Sequence, residues 1–355
     1  MTQKSGKKNS FGHFLLEIDG SYGEGGGQVL RSSLTLAAIT GQPVEIRNIR
    51  ARRPKPGLRA QHLACVRAAA SICSAGLEGC RPGSMHIVFR PGSVRPGRYE
   101  FKIETAGSAV LVLQTVLLPL AFSGDNSRVT VRGGTHVPWS PCFHYLDHVF
   151  RPVLSAMGAD FDLELVRWGW YPRGGGEVRV WIRPAEKIKP FNPETGGSTP
   201  EKVKAISASS RLPAHVRRRQ AQRMRSSLEK YGLKVEIEEL DVGAACPGSL
   251  AFCWVGGPGM YGGFTALGAR GRPAEKVADE AVSGLLGFLE SRADADRYLT
   301  DQLILPAVLA CGESGWSSEC ITSHLCTNTW VVEQFGLGRI KLTGERPGYV
   351  VVSPG

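Results

Sequence analysis

Apolar residues along this 355-residue chain fall into two alternating patterns: short runs of strand length and longer stretches with apolar positions every three or four residues. Residues 14–19 read as a buried strand, the glycine-rich stretch 20–27 as a loop, and 28–40 as an apolar helix stopped by Gly41. In 43–50, Val44 and Ile46 alternate with Glu45 and Arg47, which predicts a half-buried strand. Leu58, Leu63, Val66, Ala70 and Ile72 predict a second helix over 57–75, and 85–90 reads as a closing strand.

The same order recurs. A strand at 99–103 is followed by a turn at 106–108, a helix at 109–123, a strand at 128–132, a helix at 143–157 and strands at 161–166 and 177–182. A third copy has a helix at 301–312, a strand at 316–322, a short helix at 329–335 and strands at 339–342 and 349–352. Aligning the first helices places Gln28-Val-Leu-Arg over Val112-Leu-Gln-Thr and Asp301-Gln-Leu-Ile. Between the second and third copies, a Pro/Gly/Ser stretch at 190–200 reads as a linker. Strands at 203–208, 234–240, 249–255 and 262–267, a basic helix at 213–231 and a helix at 274–289 follow it. The expected fold class is α/β (α+β): a repeated large domain over 14–186 and 293–355, a small α/β domain inserted at 187–292, and a basic tail at 1–13.

Composition narrows the function. The 42% hydrophobic content supports a folded core and excludes a disordered chain. Lys and Arg number 43 against 32 Asp and Glu, and the net charge of +11 points to a polyanionic partner. Glycine, 44 residues, exceeds the usual ~7% without a collagen period, so it serves turns and close approaches. The longest apolar stretch, 109–122, is too short to span a membrane and contains Gln114. Nine scattered cysteines without a Cys-x-x-Cys pair predict a reducing, cytoplasmic setting.

Four constellations could carry chemistry. Asp19-Gly-Ser-Tyr-Gly-Glu24-Gly-Gly-Gly-Gln28 places a glycine loop before a helix, where backbone N–H groups bind anions. It lacks the Lys-Ser/Thr of a P-loop, and a tight turn explains the glycines equally well. Glu24 inside such a loop suggests a bridging Mg²⁺ or Mn²⁺. Arg47, Arg50, Arg52, Arg53, Lys55 and Arg59, followed by Gln61 and His62, form a basic segment suited to phosphate oxygens. The arginines 217–219, 223 and 225 have helical spacing and read as a solvated face. His324, in Thr322-Ser-His-Leu-Cys-Thr-Asn328, falls after the second strand of the third copy, opposite Arg50 and Gly133; an imidazole there is either structural or a nucleophile toward phosphorus. Residues 168–176 read as a glycine-bent hairpin connection, and His86, His144, His148 and His215 have no comparable context.

Together these segments resemble the RNA 3′-terminal phosphate cyclase family over nearly the whole chain. The carriers are Asp19-Gly with Gly-Glu24-Gly-Gly-Gly-Gln28-Val-Leu-Arg31, Ile49-Arg50-Ala-Arg-Arg53-Pro-Lys-Pro-Gly57-Leu-Arg-Ala-Gln61-His62, Thr105-Ala-Gly-Ser108 with Gln114, Gly133-Gly-Thr135, Gly169-x-x-Pro172, Tyr298-Leu-Thr-Asp301-Gln302 and His324-Leu-x-Thr-Asn328. The resemblance implies three βαβαββ repeats with an inserted α/β domain. It also implies ATP-dependent, ligase-class conversion of an RNA 3′-phosphate to a 2′,3′-cyclic phosphate. His324 matches the nucleophile that carries AMP and Glu24 the metal-binding glutamate. Gln114, Pro141, Tyr298, Asp301 and Gln302 match ATP-site positions, and Arg31, Arg50, Arg53, Gln61 and His62 match positions around the phosphates and the RNA end. The chain departs from the family pattern at His136, where Asn or Asp is usual, and at Trp168, where a basic residue is usual. A non-catalytic cyclase-like branch that acts in ribosome assembly lacks the histidine, and His324 argues against it. An enolpyruvyl-type transferase shares only the repeat architecture.

Overall fold

In the computed structural model, which describes residues 14–194, 200–257 and 259–355, two four-stranded sheets are built in the same order. The expected tail at 1–13 lies outside the described residues, as does part of the linker. β1 (Leu16–Asp19) runs parallel to β2 (Val44–Arg47) across helix α1 (Gln28–Thr40). α2 (Ala60–Cys73) then leads to β3 (Gly76–Glu78) and β4 (Ile87–Arg90), giving the order β1-β2-β4-β3. The second unit repeats this with β5 (Arg98–Lys102), α3 (Ala109–Ala121), β6 (Ser127–Gly133), a helical segment over 143–156, β7 (Phe161–Arg167) and β8 (Gly176–Ile182), in the order β5-β6-β8-β7. Matching order and polarity bear out both the repeat and the mixed α/β class.

Two details depart from the pattern. β3 was not expected, because three residues with one half-buried side chain carry no alternation. The helix at 143–157 is α4 (Phe143–Tyr145), a π-helical turn over Leu146–Phe150, and α5 (Arg151–Ala156). Pro152 has no N–H to give to the preceding turn, and the wider π register absorbs the mismatch.

β9 (Lys202–Ser210), α6 (His215–Glu229), β10 (Lys234–Asp241), β11 (Gly248–Gly257), β12 (Met260–Leu267) and α7 (Ala274–Ser291) form a sheet of order β10-β9-β11-β12. Its core is its own: Val203, Met224, Leu228, Phe264, Leu285 and Phe288 pack together beneath α6 and α7. The arginines of α6 are not all free in solvent. Arg219 pairs with Glu275 at 2.7 Å and Arg223 with Asp279 at 2.6 Å, so part of the positive charge is matched within the chain.

The third unit has α8 (Arg297–Val308), β13 (Ser314–Ser318), α9 (Ser323–Phe335), β14 (Gly338–Gly344) and β15 (Gly348–Pro354), with sheet order β13-β15-β14. The place of a first strand is held by Ala295, which bridges Tyr261 of β12 on one side and Ser318 of β13 on the other. α8 and α9 both start earlier than the sequence predicts. Counted from the first residues of α3 and α8, Gln114 falls level with Gln302, so the aligned tetrapeptides were out of register. Leu-rich helices match one another in several registers. His324 likewise lies in the first turn of α9; its positional counterparts are Gln61 in α2 and His144 in α4, not Arg50 and Gly133. α1 packs against α2, α3 and α9, and Leu34, Val66, Val112, Leu303, Trp316 and Val331 belong to one core across the three units. Among the described residues no helix is long and apolar enough to cross a membrane.

The two departures from the family pattern meet each other. His136 stacks on Trp168 at 4.1 Å, and a ladder continues through His144 and His148 to Trp254 on β11. Nδ1 and Nε2 of His144 are buried without hydrogen-bond partners among the described residues, and burial pushes its pKa down to about 3. A histidine depressed in the fold must be neutral there, so stability is lost as pH falls below 6.5, at about 1.4 kcal/mol per pH unit. Chemical denaturation at pH 6.5 and 4.5 should therefore give a smaller loss for His144→Leu than for the wild type; equal losses would contradict it.

Candidate active site

The glycine loop opens from the end of β1, anchored where Gly20 N donates to Arg47 O at 2.7 Å. Gly23 and Gly25 have φ of 59° and 56°, a backbone that side-chain-bearing residues rarely adopt. A Cβ at Gly23 would also overlap Thr327 Oγ1 of α9. The loop thus lies directly on the first turns of α9, and Tyr22 stacks on Trp330 at 4.0 Å. Close approach to another element, more than turning, is what requires glycine here.

This seating brings Glu24 to His324. Thr322 caps α9 by accepting from Leu325 N at 2.9 Å, which fixes Ser323 and His324 in the first turn. His324 Nε2 stands 3.2 Å from Glu24 Oε2, Ser323 Oγ donates to Glu24 Oε1, and Arg53 NH2 lies 3.6 Å from Oε2. Burial lowers the His324 pKa from its ordinary value; Glu24 opposes this, while Arg31 and Arg53 add to it. The ring is therefore biased toward its neutral, nucleophilic form at neutral pH.

A second cluster lies behind it. Arg31 donates to Gln28 Oε1 at 2.6 Å, and Gln28 Nε2 and Ser32 Oγ both donate to Asn328 Oδ1, at 3.0 and 2.7 Å. Asn328 Nδ2 donates to Asp301 O at 2.8 Å, and Thr322 Oγ1 donates to Asp301 Oδ1 at 2.6 Å. Burial raises the Asp301 pKa to about 8, with Asp296 and Glu24 adding to the rise. Gln114 Nε2 donates to Gln302 Oε1, and these two side chains line a small cleft with Arg31, Asp301, Phe150 and Leu305.

The remaining predicted positions are distributed around this centre. Gly27, at the start of α1, leaves room for His62 and Arg31, whose side chains a Cβ there would strike. Burial and the cations Arg31, Arg50 and Arg59 push the His62 pKa down to about 3. Gln61 Oε1 accepts from Ser108 N at 2.9 Å, tying the first unit to the second. Arg50 NH1 donates to Lys55 O and Gly57 O at 2.8 and 2.9 Å, so that nitrogen shapes its own loop. Tyr298 packs edge-on to Tyr145 and joins the cluster through its backbone, where Tyr298 O accepts from Gln302 Nε2 at 2.8 Å; Pro141 lies in the loop before α4. Ser32 is absent from the sequence reading, and Thr322 and Ser323 stand there only as neighbours of His324 without a role of their own. The Thr322 cap is the available signal, which an apolar helix start at 329 hides.

Residues 22–342 match the family described as RNA 3′-terminal phosphate cyclase. RNA 3′-terminal phosphate cyclase from Methylococcus capsulatus is 46% identical over 333 residues, covering 92% of this chain and 92% of that one. The protein of the same name from Archaeoglobus fulgidus is 45% identical over 333 residues, covering 94% of this chain and 99% of that one. A solved EPSP synthase from Acinetobacter baumannii matches at a TM-score of 0.27 and 8% identity, too little to establish a shared fold. On the extent and identity of these matches, the chain belongs to the RNA 3′-terminal phosphate cyclase family of enzymes.

Proposed function

We propose that this enzyme converts the 3′-phosphate of RNA to a 2′,3′-cyclic phosphate using ATP, by way of AMP held covalently on His324. The observation that carries this reading is the half-exposed imidazole of His324, biased toward neutrality, with Glu24 at 3.2 Å and Arg31 and Arg53 around it. In the first step Nε2 attacks the α-phosphorus, an N–P bond forms and pyrophosphate leaves. The contact with the Glu24 carboxylate places a proton on Nε2 in this state. Attack therefore requires Glu24 to turn away and the remaining ring proton to sit on Nδ1. An oxygen of the RNA 3′-phosphate next attacks the bound AMP, breaking the N–P bond. The ribose 2′-OH then attacks the activated 3′-phosphorus, its proton passes to solvent, and AMP leaves. The logic is that a phosphate oxygen leaves poorly until it carries AMP.

Gln114, Asp301 and Gln302, which line the cleft, are assigned to ATP, together with Tyr298 and Pro141, which do not line it. Arg31, Arg50, Arg53, Gln61 and His62 are assigned to the phosphates and the RNA end, where positive groups stabilise charge during transfer. Among the described residues no group of three or more His, Cys, Asp or Glu could enclose a metal ion. A lone hard carboxylate fits Mg²⁺ or Mn²⁺ completed by phosphate oxygens and water. Glu24 would hold it, and the bound ion would neutralise charge on the leaving pyrophosphate. All nine cysteines are free thiols, which supports a reducing, cytoplasmic location.

The direct test supplies ATP, Mg²⁺ and an oligonucleotide with a 3′-phosphate. A phosphatase-resistant cyclic end that requires ATP supports the reading; an end that stays phosphatase-sensitive overturns it in favour of a binding protein. The electrostatics give a further expectation. Removing the positive charge in Arg53→Gln should raise the His324 pKa, so the acid limb of the adenylation-rate profile moves to higher pH while the plateau falls by roughly 10²-fold. An acid limb that stays in place would contradict it.

A further inference from the structure

Trp139 is at odds with ordinary surface design. Its side chain is 96% exposed, and its backbone sits at φ 59°, a region in which a bulky residue is an outlier. It lies in the loop between β6 and α4. That loop corresponds in the repeat to the one carrying Arg50 and Arg53 and to the one that leads into His324. None of the groups assigned above to ATP or to the reacting phosphates accounts for it.

Neighbouring contacts connect this loop to the site. Gly134 N donates to Gly107 O at 2.7 Å, and a Cβ at Gly107 would touch Gln61. Gln61 precedes His62, which stands over Gly27 at the start of α1. On the other side, His136 N donates to Gly169 O at 3.1 Å, and His136 bridges Trp170. The chain then emerges as Tyr171, 67% exposed, and Arg173; the turn they form rests on Thr105 and Ala106 through Gly174. Two exposed aromatic rings are therefore carried by segments that both pack on the 105–108 turn, whose Ser108 N donates to Gln61 Oε1. Arg173 and, on the basic loop, Lys55 and Arg59 make no ion pair among the described residues.

We propose that Trp139, with Tyr171 beside it, is a stacking platform for a nucleobase upstream of the RNA 3′-phosphate, with Arg173, Lys55 and Arg59 following the strand's backbone. Exposed π-faces interleaved with unpaired cations suit single-stranded nucleic acid, because every base offers a face and every linkage a negative charge. The platform determines how the strand is held and takes no part in bond making. It rests on the RNA reading above and deepens it.

The test compares wild type, Trp139→Ala and Trp139→Phe with two substrates: a 3′-phosphorylated decanucleotide and a nucleoside 3′-phosphate too short to reach the platform. For the decanucleotide, Trp139→Ala should raise KM about tenfold at nearly constant kcat, and Trp139→Phe should recover most of the loss. For the nucleoside 3′-phosphate the three proteins should have the same KM. Equal KM values of wild type and Trp139→Ala for the decanucleotide overturn the platform while leaving the cyclase reading intact. So does a loss of the same size for the short substrate, since a merely structural role would give that. A wild type that forms cyclic product from neither substrate overturns the cyclase reading and the platform with it.

Discussion

His324→Ala should leave no covalent label when the protein is incubated with ATP labelled at the α-phosphate, against label on the wild type. Removal of a nucleophile that acts as a unit with its surroundings costs roughly 10³-fold or more. The expectation is specific because of where His324 sits. Thr322 caps α9 one residue before Ser323, and Ser323 holds Glu24, so the alanine variant retains the cap, the Glu24 contact with Ser323 and the buried Asn328 network. ATP binding, read by equilibrium dialysis, should therefore persist. Unchanged labelling of the variant would place the nucleophile elsewhere, and joint loss of ATP binding and labelling would mean that His324 is structural.

Gly23→Ala has the second-largest expected effect, and the reason lies across the interface. A positive φ costs alanine about 1 kcal/mol. The added Cβ would also overlap Thr327 Oγ1, a buried hydroxyl that donates to Ser323 O at 2.7 Å and cannot swing aside without losing that bond. The loop must move instead, and with it Glu24, the carboxylate proposed to hold the metal ion beside His324. Adenylation should fall about 10²-fold or more, with roughly 1–3 kcal/mol lost in chemical denaturation. Thr327→Ala removes the atom that clashes, so the double variant should recover part of the activity, and the cycle measures the coupling. Additive losses would show that the glycine is needed for its backbone alone.

Much of this arrangement was legible in the residues. The period of α1, its stop at Gly41 and the repeat of strand and helix order followed from apolar spacing and glycine punctuation, and they describe the observed sheets of the first two units. What escaped was of three kinds. Register between Leu-rich helices is degenerate, so apolar spacing alone does not reveal that Gln114 and Gln302 are equivalent. The start of α9 was placed late because polar Ser323, His324, Thr327 and Asn328 interrupt the apolar pattern; they do so because that face of the helix looks into the polar cluster. Last, Ala295 replaces a strand by one bridging residue between two sheets, which no periodicity can announce.

The Glu24–His324 pair was suggested by motif and resemblance, but its physical basis is tertiary. Nothing local links the glycine loop to a helix three hundred residues later; the link is the close packing of α1 on α9. The +11 charge also reads differently in three dimensions. α6 matches two of its arginines with carboxylates of α7, whereas Arg53 stands beside Glu24 and Arg31 within the polar cluster.

The most direct test isolates the adenylated protein from free ATP and offers it 3′-phosphorylated RNA in a single turnover. With a terminal 2′-OH, the label should leave the protein and appear as free AMP in step with the cyclic phosphate; with a 2′-deoxy end, it should stop on the RNA as a stable adenylated terminus. Cyclic phosphate formed while the label remains on His324 would contradict the account.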